Sequence, residues 1–347
     1  MKALVKEKKG RGYVKLVEMP APEISPREIK IAVRAAGICG TDIHIAHDTF
    51  PYSPPVILGH EFSGDVSEVG REVENLKVGD RVMAETTAVL CGQCLFCRNG
   101  QTNLCLGRKA YGIHVNGGFA EFVVVRKEAV HRLPPNVDYI SGAMTEPLAV
   151  CVHALTERIR ISTGQLVLVL GPGPVGLLAA ILAKAHGARV VLAGTAQDQH
   201  RLQLAKNMGV DLAIQVDDPG FLEQLNGLSK GKGGVDITVE AAGVARSVET
   251  AYKHTRKGGT IVQLGLFEGP ILVDYSQLVF REFNIIGAFA HCWSSFETAL
   301  ELMDRNIINV KPLVSTVLPL DRWEEAFRRV EHCEGVKVML APGNSPE

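Results

Sequence analysis

The chain predicts an α/β fold in which a doubly wound parallel sheet is inserted into a mostly-β domain. Three observations carry that expectation. Six compact, mostly β-branched apolar runs alternate with helical stretches between residues 150 and 290. Residues 1–149 read instead as short strands broken by glycine turns, and residues 291–347 return to a different character, two helices and one last strand. A length of 347 residues suits two domains of ordinary size.

Composition narrows the function classes. The 37 Lys and Arg against 38 Asp and Glu leave a net charge of −1, which argues against nucleic-acid or anionic-membrane binding. The opening MKALVKEKKG lacks the apolar core of a signal peptide. The near-apolar run from Leu166 to Ala183 is interrupted by Gly171-Pro172-Gly173-Pro174, so a strand, a tight turn and a buried helix explain it better than a membrane span. A cytoplasmic chain is expected, with no membrane and no nucleic acid among its partners.

In order, ALVKEKKGRGYVKLVEM reads as a hairpin and EIKIAVRAAGI as a half-buried strand. Gly59, Gly64, Gly70 and Gly79 punctuate the next stretch at a spacing suited to a small closed β-sheet, residues 111–125 continue the strands, and LPPNVD ends them. The parallel strands are placed at LVLVL (166–170), RVVLAG (189–194), LAIQV (212–216), VDITVEA (235–241), TIVQLG (260–265) and NIIGAF (284–289). FETALELMDRN and DRWEEAFRRVEH read as helices and VKVML as the last strand.

Four of the eight cysteines, Cys91, Cys94, Cys97 and Cys105, fall within fifteen residues. Two disulfides there would compete with several other pairings, whereas short Cys-x2-Cys turns readily converge four thiolates on one zinc. A full thiolate set leaves no open coordination position, so this lobe, about residues 89–107, is expected to brace the fold and do no chemistry. Cys39 stands apart.

Gly171, Gly173 and Gly176 form G-x-G-x-x-G, with Pro174 and Val175 inside it, between a strand and a helix. The first glycine permits the turn, the second lets backbone N–H groups approach a pyrophosphate, and the third lets helix and strand pack closely. The second strand ends in Gly194-Thr195 rather than in the carboxylate that usually holds the ribose of NAD. A carboxylate would repel a 2′-phosphate, whereas Gly194 leaves room and Thr195, His200 or Arg201 can donate. NADP is therefore favoured, with NAD as the alternative and Asp198 as a second way to hold the ribose. Leu266 and Lys337 complete the candidate cofactor contacts, Lys337 reaching the phosphates or else lying on the surface.

Far upstream, Gly37-Ile38-Cys39-Gly40-Thr41-Asp42-Ile43-His44 precedes Gly59-His60-Glu61-Phe62-Ser63-Gly64 by one hairpin-length interval. Zinc accepts thiolate, imidazole and carboxylate together, and three protein ligands leave a fourth place for substrate. With TEPLAV, GPGPVG and the four-cysteine lobe in the same order, the whole chain resembles the zinc-containing medium-chain dehydrogenase/reductase family. The resemblance implies a Rossmann domain (150–290) inserted into a GroES-like catalytic domain (1–149 and 291–347), and two zincs per chain. It makes Cys39, His60 and Glu61 ligands of the catalytic zinc, Asp42 the residue that orients His60, and Thr41 and His44 the path by which the substrate proton leaves.

Glu146 stands where liver-type alcohol dehydrogenases carry a cysteine, which resembles the polyol (sorbitol-like) and threonine branch. Zinc with Cys39, neutral His60 and Glu61 sums to zero charge, so Glu146 is expected mainly outside the ligand set. The resemblance thus implies hydride transfer between a secondary alcohol and a nicotinamide cofactor. A polyol substrate leads, ahead of L-threonine and then of general alcohols or butanediol, with Phe50 or Tyr52 lining its pocket. It also implies a dimer or tetramer, paired through the NIIGAF strand. The rival readings are a nucleic-acid zinc module, for which Arg98, Arg108 and Lys109 form no extended basic stripe, and a non-catalytic zinc scaffold.

Overall fold

The computed structural model describes residues 1–343. The chain forms two compact units, one made of Met1–Ala149 and the chain from His291 onward, the other of Val150–Ala290.

In the first unit, Lys2–Lys6 and Val14–Glu18 form the antiparallel hairpin expected from the sequence. The hub is the ten-residue strand Glu28–Gly37. Its inward residues Ile29, Ile31 and Val33 join Phe62, Val66, Val123 and Leu340 in one apolar core, as the period-two pattern requires. It pairs antiparallel with Glu61–Val69 along its length, with Phe122–Arg126 at its start and with Lys337–Ala341 at its end. Its last three residues, Ala35–Gly37 by number 35–37, are all buried rather than alternating. That covered end is where the site forms.

The expected closed sheet is corrected. The pairing path ends at Val130–Arg132 on one side and at Val314–Pro319 on the other, and these ends do not pair among the described residues. The first is three residues long, and the second, absent from the sequence reading, finishes in a proline that has no N–H to donate. Residues 111–121 are mostly loop, and a regular strand begins only at Phe122. The cause is close packing: a Cβ on Gly112 or Gly117 would lie 2.5 or 2.0 Å from the Gly59 carbonyl oxygen.

The second unit is a six-stranded parallel sheet of Leu166–Leu170, Arg189–Gly194, Leu212–Gln215, Val235–Glu240, Thr255–Gln263 and Asn284–Gly287. Numbered by chain order, the strands lie 3-2-1-4-5-6, the dinucleotide-binding arrangement. Leu166–Leu170 and Val235–Glu240 are buried at every position, as strands covered on both faces must be. The fifth strand starts five residues before the apolar run, because polar Thr255 bonds to Thr238 and a register shift absorbs the intervening residues. No helix among the described residues is long and apolar enough to cross a membrane.

Candidate active site

Cys39 caps the short helix Gly40–Ala46, and Asp42 in that helix's first turn is fully buried. One Asp42 oxygen accepts the Cys39 N–H at 2.9 Å, while the other accepts Gly59 N–H at 3.3 Å and lies 3.6 Å from His60 Nδ1. Asp42 thus fastens the two motif loops together and sets its carboxylate beside the His60 imidazole. Antiparallel register places Glu61 opposite Gly37, two residues before Cys39. Ligand atoms of Cys39, His60 and Glu61 all lie within 4.8 Å of one another. Burial alone would lower the His60 pKa, but Asp42 and then Cys39 hold it well above the usual histidine value. Such a site asks for a cation. A divalent ion satisfies thiolate, imidazole and carboxylate at once, and His60 and Glu61 are both at least 96% buried, so the donor set fits zinc.

Lys337 is corrected from the sequence reading. It is 1% exposed and ion-paired with Glu61, so it is no surface lysine and its ammonium is committed to the metal cluster. Burial alone would lower its pKa; Glu61 and Cys39 outweigh burial and raise it. The zero-charge sum for zinc, Cys39 and Glu61 therefore omits one positive charge. Gly37 makes room for the pair, since a Cβ there would sit 2.1 Å from Glu61 Oε2 and 2.7 Å from Lys337 Cε.

Thr41 and His44 share the helix with Asp42, and His44 Nδ1 is 3.1 Å from Thr49 Oγ1. Tyr52 is buried, with its hydroxyl donating to Asp48 at 2.7 Å, while Phe50 packs against the core. Glu146, in the first turn of Thr145–Val152, lies outside the three-residue ligand cluster. Its Oε1 is 3.1 Å from both Thr86 Oγ1 and His291 Nε2. Burial opposes ionisation, but the His291 hydrogen bond, with the charges of His60 and Lys337, holds the Glu146 carboxyl down at about 2. His291 and Thr86 were missed by sequence reasoning, as neither lies in a motif and 205 positions separate them.

In the lobe, the strands Thr87–Val89 and Lys109–Ala110 pair at the base. Cys91, Cys94, Cys97 and Cys105 hold their sulfurs within 4.8 Å of one another without a disulfide. Backbone N–H groups of Cys97 and Leu106 lower the Cys94 thiol to about 6, whereas burial and neighbouring thiols push Cys97 up to about 12. Four sulfurs that share protons unequally suit a second zinc.

In the second unit, Gly171 has φ +99° and a Cβ there would meet Ala242 at 2.8 Å. Gly176 abuts the Gly171 carbonyl, whereas a Cβ on Gly173 would meet nothing within 4 Å. The second glycine thus opens on free space at the N-terminus of helix Pro174–Ala185, where Val175 occupies the first turn. Gly194, Thr195 and Asp198 line an adjoining pocket with Gly171 and Pro172. A Cβ on Gly194 would press on Pro172 Cγ at 2.7 Å, so packing also requires glycine there. Asp198 accepts the Thr195 N–H and hydroxyl at 2.9 and 2.8 Å, and Arg201 lies 3.4 Å from its other oxygen. Arg201 is 9% exposed, reaching the pocket through Asp198, while Leu266 is largely exposed. Sequence reasoning also missed buried Glu240, which accepts from Ala242 N, Gly243 N, Ser247 and Gln263 and so shapes the loops beyond the strand ends.

Residues 25–135 match the model of the alcohol dehydrogenase GroES-like domain, and residues 174–305 match that of the zinc-binding dehydrogenase. The chain is 40% identical to the sorbitol dehydrogenase of Halalkalibacterium halodurans, over 99% of each protein. It is 34% identical to the L-threonine 3-dehydrogenase of Bacillus velezensis, again over 99% of each. Among solved structures, one described as a zinc-binding dehydrogenase from Sinorhizobium meliloti 1021 bound to NADP superposes with a TM-score of 0.89, at 33% identity over 98% of this chain and 99% of that one. With a GroES-like sheet, a 3-2-1-4-5-6 parallel sheet and the Cys39–His60–Glu61 cluster in place, the chain belongs to the zinc-dependent medium-chain dehydrogenases, enzymes that oxidise alcohols with a nicotinamide cofactor.

Proposed function

We propose that this dehydrogenase acts on a polyol, exchanging hydride between a secondary alcohol carbon and NADP. The observation that carries the reading is the cluster of Cys39, His60 and Glu61, with Glu146 held outside it. Cys39, His60 and Glu61 hold the catalytic zinc. Bound by Cys39, His60 and Glu61, zinc would make an alcohol more acidic, and a nicotinamide held by residues 150–290 would accept the hydride. Thr41 receives the alcohol proton and His44 passes it outward, with Thr49 fixing the imidazole. Asp42 would orient His60 through the carboxylate it holds beside the imidazole. Cys91, Cys94, Cys97 and Cys105 hold a second, structural zinc.

Residues 150–290 bind the cofactor, with Gly173 opposite the pyrophosphate. The absence of a carboxylate at Gly194, and the engagement of Asp198 by Thr195 and Arg201, support NADP over NAD. The likeness to a sorbitol dehydrogenase supports the polyol, and that to a threonine dehydrogenase makes L-threonine the second reading. Among the described residues the edge strand Asn284–Gly287 has one neighbour in its sheet, with Phe280 and Phe289 exposed beside it, which supports a dimer or tetramer of this chain. The deciding experiment measures kcat/KM for sorbitol, xylitol, galactitol, L-threonine and 2,3-butanediol with NAD and NADP. Threonine turnover without polyol activity would reverse the order.

A further inference from the structure

Glu146 is held by one oxygen only. Thr86 Oγ1 and His291 Nε2 both lie 3.1 Å from Oε1, and they are 3.3 Å from each other. Among the described residues no group binds Oε2. His291 itself is 1% exposed and packs edge-on against Phe296 with ring centres 4.3 Å apart. Its Nδ1 is buried without a partner. A proton on Nδ1 would be a buried donor with nothing to bind, so the partners assign the proton to Nε2, where it is donated to Glu146. Two donors on one oxygen, one of them on a ring that cannot swing, fix both the position and the rotation of the carboxylate.

We propose that His291 is a positioning residue, which with Thr86 restrains Glu146 from joining Cys39, His60 and Glu61 as a fourth protein ligand and so keeps one coordination position open for the alcohol. The inference rests on the assignment of those three residues to the catalytic zinc. Glu146 lies near enough to Glu61 and His60 for their charges to act on one another, so a divalent ion held there would draw it in unless an oriented set of hydrogen bonds competed. A packing role alone would need the ring but not its N–H.

The test uses three variants of the full-length enzyme, with wild type as the reference. His291→Phe keeps the ring and deletes the donor, His291→Gln keeps a donor at about the same reach, and Thr86→Val deletes the second donor. Expected for His291→Phe are a fall of about 10- to 100-fold in kcat, unchanged KM for the cofactor, slower zinc release to a chelator and a changed visible spectrum after cobalt substitution. Thr86→Val should move the same readouts in the same direction by less, which keeps the test open if His291→Phe does not fold. His291→Gln should return activity and spectrum towards wild type. An unchanged spectrum and unchanged zinc release in both donor-deleted variants, or equal losses in His291→Phe and His291→Gln, would overturn the proposal. Wild-type protein without metal at Cys39, or a Cys39→Ser variant still transferring hydride, would instead overturn the zinc assignment beneath it.

Discussion

Replacing Lys337 by methionine leaves the Glu61 carboxylate as a buried charge without its partner. Both side chains are at most 2% exposed, so water cannot screen the loss. Removing one member of a buried ion pair typically costs about 3–5 kcal/mol, which is roughly two to four powers of ten in the folding equilibrium. The packing change is small because methionine nearly matches the lysine stem in length. The larger cost is expected in metal-free protein, where only His60 remains to offset Glu61, and a reduced cost once zinc is bound.

The pH dependence follows from the sign of the shift. Burial raises the Glu61 pKa above its ordinary 4.5, so the folded state favours the protonated form. Stability from this group is complete below the ordinary carboxylate range and is lost as pH rises through the raised value. Lys337→Met should therefore hurt most at neutral pH and least in acid. The assay is denaturant unfolding of the chelator-treated protein, followed by circular dichroism, for Lys337→Met, Glu61→Gln and the double variant. The double variant should recover most of the loss, because neither member of the pair is then charged. A cost below about 0.5 kcal/mol for Lys337→Met, or a double variant no more stable than the single, would refute the reasoning.

Gly173→Val should abolish cofactor binding by calorimetry while leaving the melting temperature unchanged, as its Cβ enters free space at an ordinary φ of −69°. Gly171→Val should instead lower the melting temperature, through both its φ of +99° and the contact with Ala242. Metal analysis should give two zincs per chain for the wild type and one for Cys105→Ser. In zinc-free protein, alkylation of Cys94 should rise as pH increases through about 6, since only the thiolate reacts, and zinc should suppress it. Asp42→Ala should weaken catalytic zinc binding by about 10- to 100-fold, measured by chelator competition.

The parallel sheet was legible because its central strands had to be apolar on both faces and its first helix begins where the glycine loop breaks the apolar run. The ligand motifs were legible because Cys39 with Asp42, and His60 with Glu61, each sit in one short stretch of chain. What stayed hidden depends on distant partners. Lys337 sits in a short run that reads equally well as an edge strand with an outward lysine, and only its pairing beside Gly37 reveals the buried ion pair. His291 resembles any histidine in a loop until the fold carries it to Glu146. Glu240 was absorbed into an apolar strand, since the loop N–H groups that satisfy it carry no side-chain signature.

The strand Lys337–Ala341 lies beside residues synthesised far earlier. During translation at ~5–20 residues per second, Cys39, His60 and Glu61 emerge and then wait on the order of 15–60 s for Lys337. Throughout that interval Glu61 lacks the ammonium that later neutralises it, and the nascent half-site carries one more negative charge than the finished one. Metal captured at that stage meets a more strongly anionic cup than metal entering the mature enzyme. The last strand to arrive thus sets the final charge beside residues synthesised first.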